Sequence, residues 1–342
     1  MTAIVGILNK KGVAIAADSA VTFNNGYKIL NNDNNKDDNK EIILKDIKVV
    51  NSGDKMLRLK DGQAMAIMIV GNSHLLFPCL HHLPWDVIIR YYRKRHDNSG
   101  FSKFQDYIHD FLHFVDTDII SCEIKNNPTL AIQKEIVDDE KEIQEQYTFL
   151  VFAGYAVNDL YPSMCQVKIA GIKDGKLNHN GIENLKVITA NHKSDIFSCG
   201  QKDIINAILY GIQEERIFSI CNNLPELLKS ILYQEDDYIY LANQINDKVV
   251  FQKVKETIRD NEQKHLDEWL ETIKSYSFQE MACLAENMIK ATSLHRKITF
   301  QQEGVGGLVD LALITRTEGF QWLNRKSWYE PSRGGQYGRF GI

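Results

Sequence analysis

The sequence lacks the features that mark metal-binding, nucleic-acid-binding and membrane-spanning proteins. Its six cysteines are scattered, and no CxxC pair or Cys/His spacing typical of a zinc site occurs. No basic patch stands out among 40 basic and 45 acidic residues, which argues against nucleic acid as a partner. No apolar run is long enough to cross a membrane, and we expect no signal peptide. We therefore expect a cytoplasmic protein with reduced core cysteines, no membrane association, no metal and no other cofactor.

One histidine cluster needs separate consideration. His74, His81 and His82 lie close together in the sequence, with Cys79 among them. Their spacing is irregular for a zinc site, and no fourth ligand is evident. The favoured interpretation is that they are ordinary helix and loop histidines.

The composition indicates one large domain with insertions. Hydrophobic residues make up 44% of the 342 residues, which is enough for a substantial core. Residues 31–40 contain no apolar side chain, and this predicts a disordered loop. We expect a single domain over residues 1–330 and a flexible Gly/Arg/aromatic tail over 331–342, with insertions at about 23–48, 117–147 and 213–275.

Local patterns predict the main secondary-structure elements. Two short apolar runs flank the polar turn at residues 9–12 and predict a β-hairpin at the start of the chain. Apolar residues at helical spacing predict helices over 104–115 and 278–291, and a proline precedes another over 85–95. A highly charged stretch predicts a surface helix over 130–146.

Thr2 directly follows the initiator methionine. Because its side chain is small, we expect Met1 to be removed, which makes Thr2 the mature N-terminus. An N-terminal threonine carries a hydroxyl and a free α-amine, and the amine titrates near ~8. The amine can therefore act as general base for the hydroxyl of its own residue.

The segment from Thr2 to Thr22 resembles a known family. A strand, a turn at Gly12 and a return through Ala17-Asp18-Ser19 to Thr22 are similar to the opening of proteasome β-type subunits and their bacterial proteasome-like relatives. These are N-terminal-nucleophile (Ntn) hydrolases of the threonine peptidase type. The match is ungapped over this segment, and it places Asp18 at the catalytic-region aspartate of the family.

Two later segments continue the resemblance. A turn and an apolar strand separate Lys55 from Gly71, so the resemblance assigns Lys55 as the active-site lysine and Gly71 as the oxyanion-hole glycine. A Gly-Gly step at 306–307 followed by an apolar strand matches the C-terminal part. The resemblance implies that Lys55 tunes the nucleophile, that Asp18 holds Lys55, and that substrate contacts come from Ser19, Thr22, Gly200 and Gln201.

The resemblance also implies a fold and an activity. The expected fold is α/β (α+β), a four-layer αββα sandwich of two antiparallel sheets between helical layers. The expected activity is hydrolysis of peptide bonds in a peptide or unfolded protein through Thr2. A homo-oligomer, ring-like in that family, and an ATP-dependent unfoldase partner are also implied.

Departures from the family pattern keep two alternatives open. Gln201 and Val305 stand where the family has serines, and the position of its second aspartate is unclear. One alternative is an amidase or acylase for small substrates on the same fold. The other is a catalytically inactive, proteasome-like assembly subunit.

Overall fold

The computed structural model describes residues 2–29, 42–50, 54–77, 82–95, 99–131, 147–212, 214–232, 246–299 and 305–325, with the backbone alone for 21–29 and 42–50. The strands, in chain order, are β1 Ala3–Asn9, β2 Gly12–Ala17, β3 Val21–Ile29, β4 Ile42–Val50, β5 Met56–Arg58, β6 Met65–Gly71, β7 His74–Leu76, β8 His82–Pro84, β9 Thr148–Gly154, β10 Ser163–Lys173, β11 Lys176–Val187, β12 Ser194–Gly200, β13 Asp310–Thr315 and β14 Gly319–Asn324. The α-helices are α1 Trp85–Arg95, α2 Phe104–Phe114, α3 Ser121–Asn126, α4 Asp203–Tyr210, α5 Glu214–Leu232, α6 Asp247–Ile273 and α7 Phe278–Ile298.

The first sheet is built around the N-terminal hairpin. Its strand order is β12-β1-β2-β13-β14, and every neighbouring pair is antiparallel. Asn9 pairs with Gly12 across the turn, so the predicted hairpin is confirmed. All residues of β1 and β2 are buried, which explains why both strands are apolar on both faces.

The second sheet has the order β11-β10-β9-β6-β5 and is also antiparallel throughout. Register shifts between β10 and β11 mark bulges at this edge of the sheet. Two separate strand pairs, β3 with β4 and β7 with β8, complete the described strands.

The two five-stranded sheets pack face to face. One cluster of buried side chains combines Ile4 and Ile15 of the first sheet with Met68 and Val151 of the second. Gly6 lies at this interface, where a Cβ would stand 2.3 Å from the Sδ atom of Met164. The missing side chain therefore lets Met164 fill the space between the sheets.

Helices cover the outer face of each sheet. On the first sheet, α7 contacts β1 and β2, and its Met281 and Ala285 share a buried cluster with Val5. On the second sheet, α1 and α2 bury Ile89 and Phe111 against strand residues such as Phe152. The structure thus confirms a mixed α/β chain of antiparallel sheets and helices.

The helix predictions are largely confirmed. The predicted helix 85–95 is α1, 104–115 is α2 with one residue fewer, and 278–291 is α7, which continues to Ile298. A π-helical turn at Val115–Ile120 follows α2 and leads into α3. The predicted loop 31–40 and tail 331–342 lie outside the described residues, as does nearly all of the charged helix 130–146.

The cysteine prediction is partly wrong. Cys165, Cys199 and Cys221 are buried and unpaired, as expected for reduced core residues. Cys122 and Cys283 are instead exposed, because each lies on the solvent side of its helix. Cys79 lies outside the described residues.

None of the helices in the described ranges combines the length and the apolar character that a membrane crossing requires.

Candidate functional site

The carboxylate of Asp18 is the centre of the candidate site. Asp18 follows β2 directly and has no exposed surface. Its Oδ1 accepts hydrogen bonds from the Ala3 backbone N–H at 2.9 Å and from Lys55 Nζ at 3.0 Å. Its Oδ2 accepts from the backbone N–H groups of Ala20 at 3.2 Å and Gly306 at 3.3 Å. Four donors therefore occupy the acceptor sites of one buried carboxylate.

Lys55 comes to Asp18 from the second sheet. It directly precedes β5, and its carbonyl accepts a hydrogen bond from Ile69 N–H of β6 at 2.8 Å. The side chains of Lys55 and Asp18 are 6% and 1% exposed, so their ion pair is almost fully desolvated. The pair joins the two sheets at this end of the sandwich. Removing one partner would leave the other as an uncompensated buried charge.

Thr2 is fixed through its backbone. It is 4% exposed, and its carbonyl accepts a hydrogen bond from Gln201 N–H at 2.8 Å. Gly200 has a φ of +84°, and a Cβ there would stand 2.0 Å from the Thr2 oxygen. Alternation along β1 places Thr2 on the same face as Ile4, which belongs to the cluster between the sheets. The Thr2 side chain is thus directed toward the space between the two sheets, at its edge.

Gly71 ends β6 near the same edge. The preceding residue, Val70, has its Cγ1 2.9 Å from where a Cβ on Gly200 would be. Gly71 is exposed with a φ of +86°, and the carbonyl oxygen of Tyr147 leaves no room for a side chain there. Asn72 N–H donates to that same oxygen at 3.2 Å, which holds the turn after the strand.

The residues expected to contact substrate are distributed around this centre. Ser19 has no exposed surface, and its backbone N–H donates to the Gly306 carbonyl at 3.2 Å. Among the described residues, its Oγ has no hydrogen-bond partner. Gly200 and Gln201 flank the Thr2 carbonyl. Thr22 lies in β3, where side chains are outside the described part of the structure. Their roles in substrate binding stay predictions.

Sequence reasoning missed the backbone donors of the site. The N–H groups of Ala3, Ala20 and Gly306 all bind Asp18, yet main-chain donors leave no mark in the residue type. The one available signal was the glycine-rich stretch before β13, which contains Gly306. The carbonyl of Gly306 also accepts hydrogen bonds from the backbone N–H groups of Ser19 and Ala20. Hydrogen bonds in both directions therefore hold this loop against the residues after β2.

Two further side-chain types that can act as nucleophile, base or metal ligand are the Cys199 thiol and the imidazoles of His74 and His82. Burial raises the pKa of the Cys199 thiol to about 12, so this neighbour of Gly200 stays a neutral thiol and is no competing nucleophile. His74 and His82 stack edge to face with ring centroids 5.1 Å apart, and burial lowers the pKa of His74. Within the described ranges, no group of three or more His, Cys, Asp or Glu side chains converges as metal ligands.

Comparison with known proteins gives little further information. No protein-family model and no curated protein matches the chain. Among solved structures, the chain has a weak similarity to the Anbu (Gly-1) mutant from Hyphomicrobium sp. strain MC1. The identity is 11%, the TM-score is 0.36, and the match covers 95% of this chain and 86% of that chain.

These findings correct the family assignment made from the sequence. The identification of the chain as a member of the proteasome β-type family is wrong, because no family model matches and a TM-score of 0.36 at 11% identity shows neither family nor fold. The resemblance was carried by short motifs separated by insertions, and such motifs recur without common membership. The contacts of Asp18 with Lys55 and with the backbone N–H of Ala3, the residue after Thr2, are a separate observation and do not depend on the family assignment.

Proposed function

We propose that this protein hydrolyses amide bonds, with peptides as the first substrate class, through Thr2 as an N-terminal nucleophile after removal of Met1. One observation carries the proposal. Asp18 Oδ1 joins the Lys55 ammonium group to the first peptide N–H after Thr2, within 3.0 Å of each. The buried Lys55 ammonium group is thereby held close to Thr2. This argument does not depend on membership of a family.

The proposed chemistry depends on this placement. The Thr2 amine takes the hydroxyl proton while Oγ attacks the substrate carbonyl, and Lys55 lowers the cost of negative charge on that oxygen. Collapse of the tetrahedral intermediate passes the proton to the leaving amine and forms an acyl-enzyme ester. Water activated by the same amine then releases the acid. We assign the backbone N–H of Gly71 to stabilise the oxyanion, a contribution of about 3 kcal/mol per donor.

The finer description of the fold belongs to the same proposal. We infer a four-layer αββα sandwich of the Ntn-hydrolase type, supported by the cluster between the sheets and the helix-covered outer faces. In such a sandwich Thr2 lies at a strand end, at the edge of the space between the two sheets.

The alternatives from the sequence differ in measurable ways. A small-substrate amidase or acylase would use the same Thr2 chemistry but would not cleave peptides. An inactive subunit would keep the Asp18–Lys55 pair only to join the sheets. Homo-oligomerisation, an ATP-dependent unfoldase partner and a cytoplasmic location stay predictions, and light scattering measures the first of them.

Intact mass spectrometry before and after incubation with a peptide epoxyketone tests the proposal. This probe needs both a hydroxyl and a free amine on one residue, so an adduct reports the N-terminal arrangement directly. We expect loss of Met1 and a single adduct, absent in Thr2→Ala and retained in the matched variant Thr257→Ala, which changes an exposed threonine on α6. Retained Met1 without an adduct, or peptidase activity that persists in Thr2→Ala, would contradict the proposal.

A further inference from the structure

A cavity of about 150 Å³ lies between the C-terminal half of α7 and the loop before β13. The loop contributes Gly306, Gly307 and Val309, and the helix contributes residues on one face. Asp18 also lines this cavity, on the side of the first sheet covered by α7. The helix residues that line it are Ile289, Lys290, Ser293, Leu294 and Lys297.

The lining combines apolar walls with a cationic rim, and Asp18 is its one acidic residue. Ile289 and Val309 are buried and form apolar walls. Lys290 and Lys297 are seven residues apart, which puts their ammonium groups two turns apart on one side of the helix. Both lysines are exposed, so their charges are at the opening. Lys290 is 2.9 Å from Glu286, whereas Lys297 has no ion-pair partner among the described residues.

The state of Asp18 argues against a cation as the occupant. Each of its two oxygens already accepts two hydrogen bonds, from Ala3 and Lys55 and from Ala20 and Gly306. A cation bound to Asp18 would have to displace one of these donors. The groups that remain for a ligand are the Lys297 ammonium group at the rim, the Lys290 ammonium group, which also pairs with Glu286, and the apolar walls below them.

Size and polarity together define the ligand class. A cavity of roughly 150 Å³ holds a molecule of about six carbon atoms, such as benzene in an engineered protein cavity. Apolar walls under a cationic rim favour a molecule with one apolar end and one anionic end. A compact dianion such as phosphate would leave the apolar walls without a contact and would approach the Asp18 carboxylate.

We propose that this cavity is a binding site for a carboxylic acid with a short aliphatic chain, whose carboxylate pairs with Lys297 and Lys290. Its chain lies against Ile289, Leu294 and Val309. Gly306 forms part of the wall and donates to Asp18 Oδ2, so the occupant touches a residue that holds Asp18. Binding does not depend on the proposed hydrolase activity, and it is measured without a substrate.

Isothermal titration of the full-length protein with hexanoate, 1-hexanol and inorganic phosphate tests this site. We expect hexanoate to bind with an affinity that falls as salt rises, hexanol to bind at least about ten-fold more weakly, and phosphate not to bind. Lys297→Gln should weaken hexanoate about three- to five-fold, as for an exposed ion pair. Lys264→Gln on α6 removes the same charge far from the cavity in sequence and should leave binding unchanged.

A second variant and a second readout locate the ligand. Ser293→Phe places a ring in the cavity and should abolish hexanoate binding without unfolding the protein, since Ser293 is on a partly exposed helix face. Amide hydrogen exchange should slow at Gly306 and Ala20 when hexanoate is bound, by about two-fold or more. Equal binding of hexanol and hexanoate, unchanged affinity in both cavity variants, or no binding of hexanoate would each overturn the proposal.

Discussion

Gly200 lies so close to Thr2 that a Cβ on Gly200 would stand 2.0 Å from the Thr2 carbonyl oxygen. The next residue, Gln201, donates its backbone N–H to that oxygen at 2.8 Å. β12 therefore fixes the position of Thr2 by contact as well as by hydrogen bonding. The position of Thr2 relative to Asp18 depends on both strands that flank β1.

We expect Gly200→Ala to be destabilising and to abolish reaction with the epoxyketone, because the methyl group displaces the Thr2 carbonyl. Gly62→Ala is the matched control, since Gly62 has a φ of +74° but no atom within 4 Å of its missing Cβ. The control should show only the strain of a left-handed backbone, about 1–3 kcal/mol. Urea denaturation of both variants measures the difference, and equal losses would show that contact with Thr2 is unimportant.

Asp18→Asn should lower the free energy of unfolding by about 3–5 kcal/mol, because Lys55 then becomes a buried charge without its carboxylate. The double variant Asp18→Asn/Lys55→Met should recover part of that loss by removing the buried charge. Asp54→Asn breaks a half-exposed ion pair with Arg90 and should cost less than about 1 kcal/mol. Denaturant midpoints of the three variants measure these losses of stability. A double variant that is less stable than Asp18→Asn alone would contradict the prediction.

Asn9 connects the N-terminal hairpin to the end of α6. It is fully buried, and its Nδ2 donates to the carbonyls of Ile273 and Tyr276 at 3.1 Å each. Asn9→Ala leaves both carbonyls without this donor and should cost about 1–3 kcal/mol. Asn223→Ala removes an exposed hydrogen bond to Ser219 and should change stability by less than about 0.5 kcal/mol. Thermal unfolding of the two variants side by side measures the contrast.

A capping box at the start of α7 predicts a pH dependence of stability. The Ser277 backbone N–H, helped by its hydroxyl, lowers the pKa of Glu280 below the ordinary value of 4.5. The folded state thus binds this proton less tightly than the unfolded state, so the contribution is complete above about pH 4.5 and is lost as pH falls through the lowered pKa. Melting temperatures from neutral to acidic pH should fall less steeply for Glu280→Gln than for the unchanged protein. Parallel curves for the two proteins would contradict this assignment.

Elements with a repeating local pattern were predictable from the sequence. The hairpin at Asn9–Gly12 combines two short apolar runs with a polar turn, and α1 has a proline before its first residue, so nearby residues alone account for both. The extension of α7 to Ile298 was missed because residues 292–298 mix polar and charged side chains, which a helix tolerates on its solvent face.

Only the part of the site that is formed by side chains could be predicted from the sequence. Asp18 and Lys55 are 37 residues apart, and no local pattern relates them; a resemblance in short motifs placed them together, although the family it named was wrong. The donors from Ala3 and Gly306 depend on strand order and loop geometry, which arise only in the folded chain. Their contribution could not be read from residue types.

The strand order of the first sheet has a consequence for the order of folding. β1 pairs with β12, about 190 residues later in the chain, and β2 pairs with β13, about 300 residues later. During synthesis the hairpin emerges first, β12 becomes available for β1 only after Gly200, and β13 becomes available for β2 only when nearly the whole chain has been made. Such distant pairings slow folding, and the apolar hairpin edges stay open to other chains in the meantime. The two strands of the hairpin, which are buried at every position, are therefore the first to be made and among the last to gain all their neighbours.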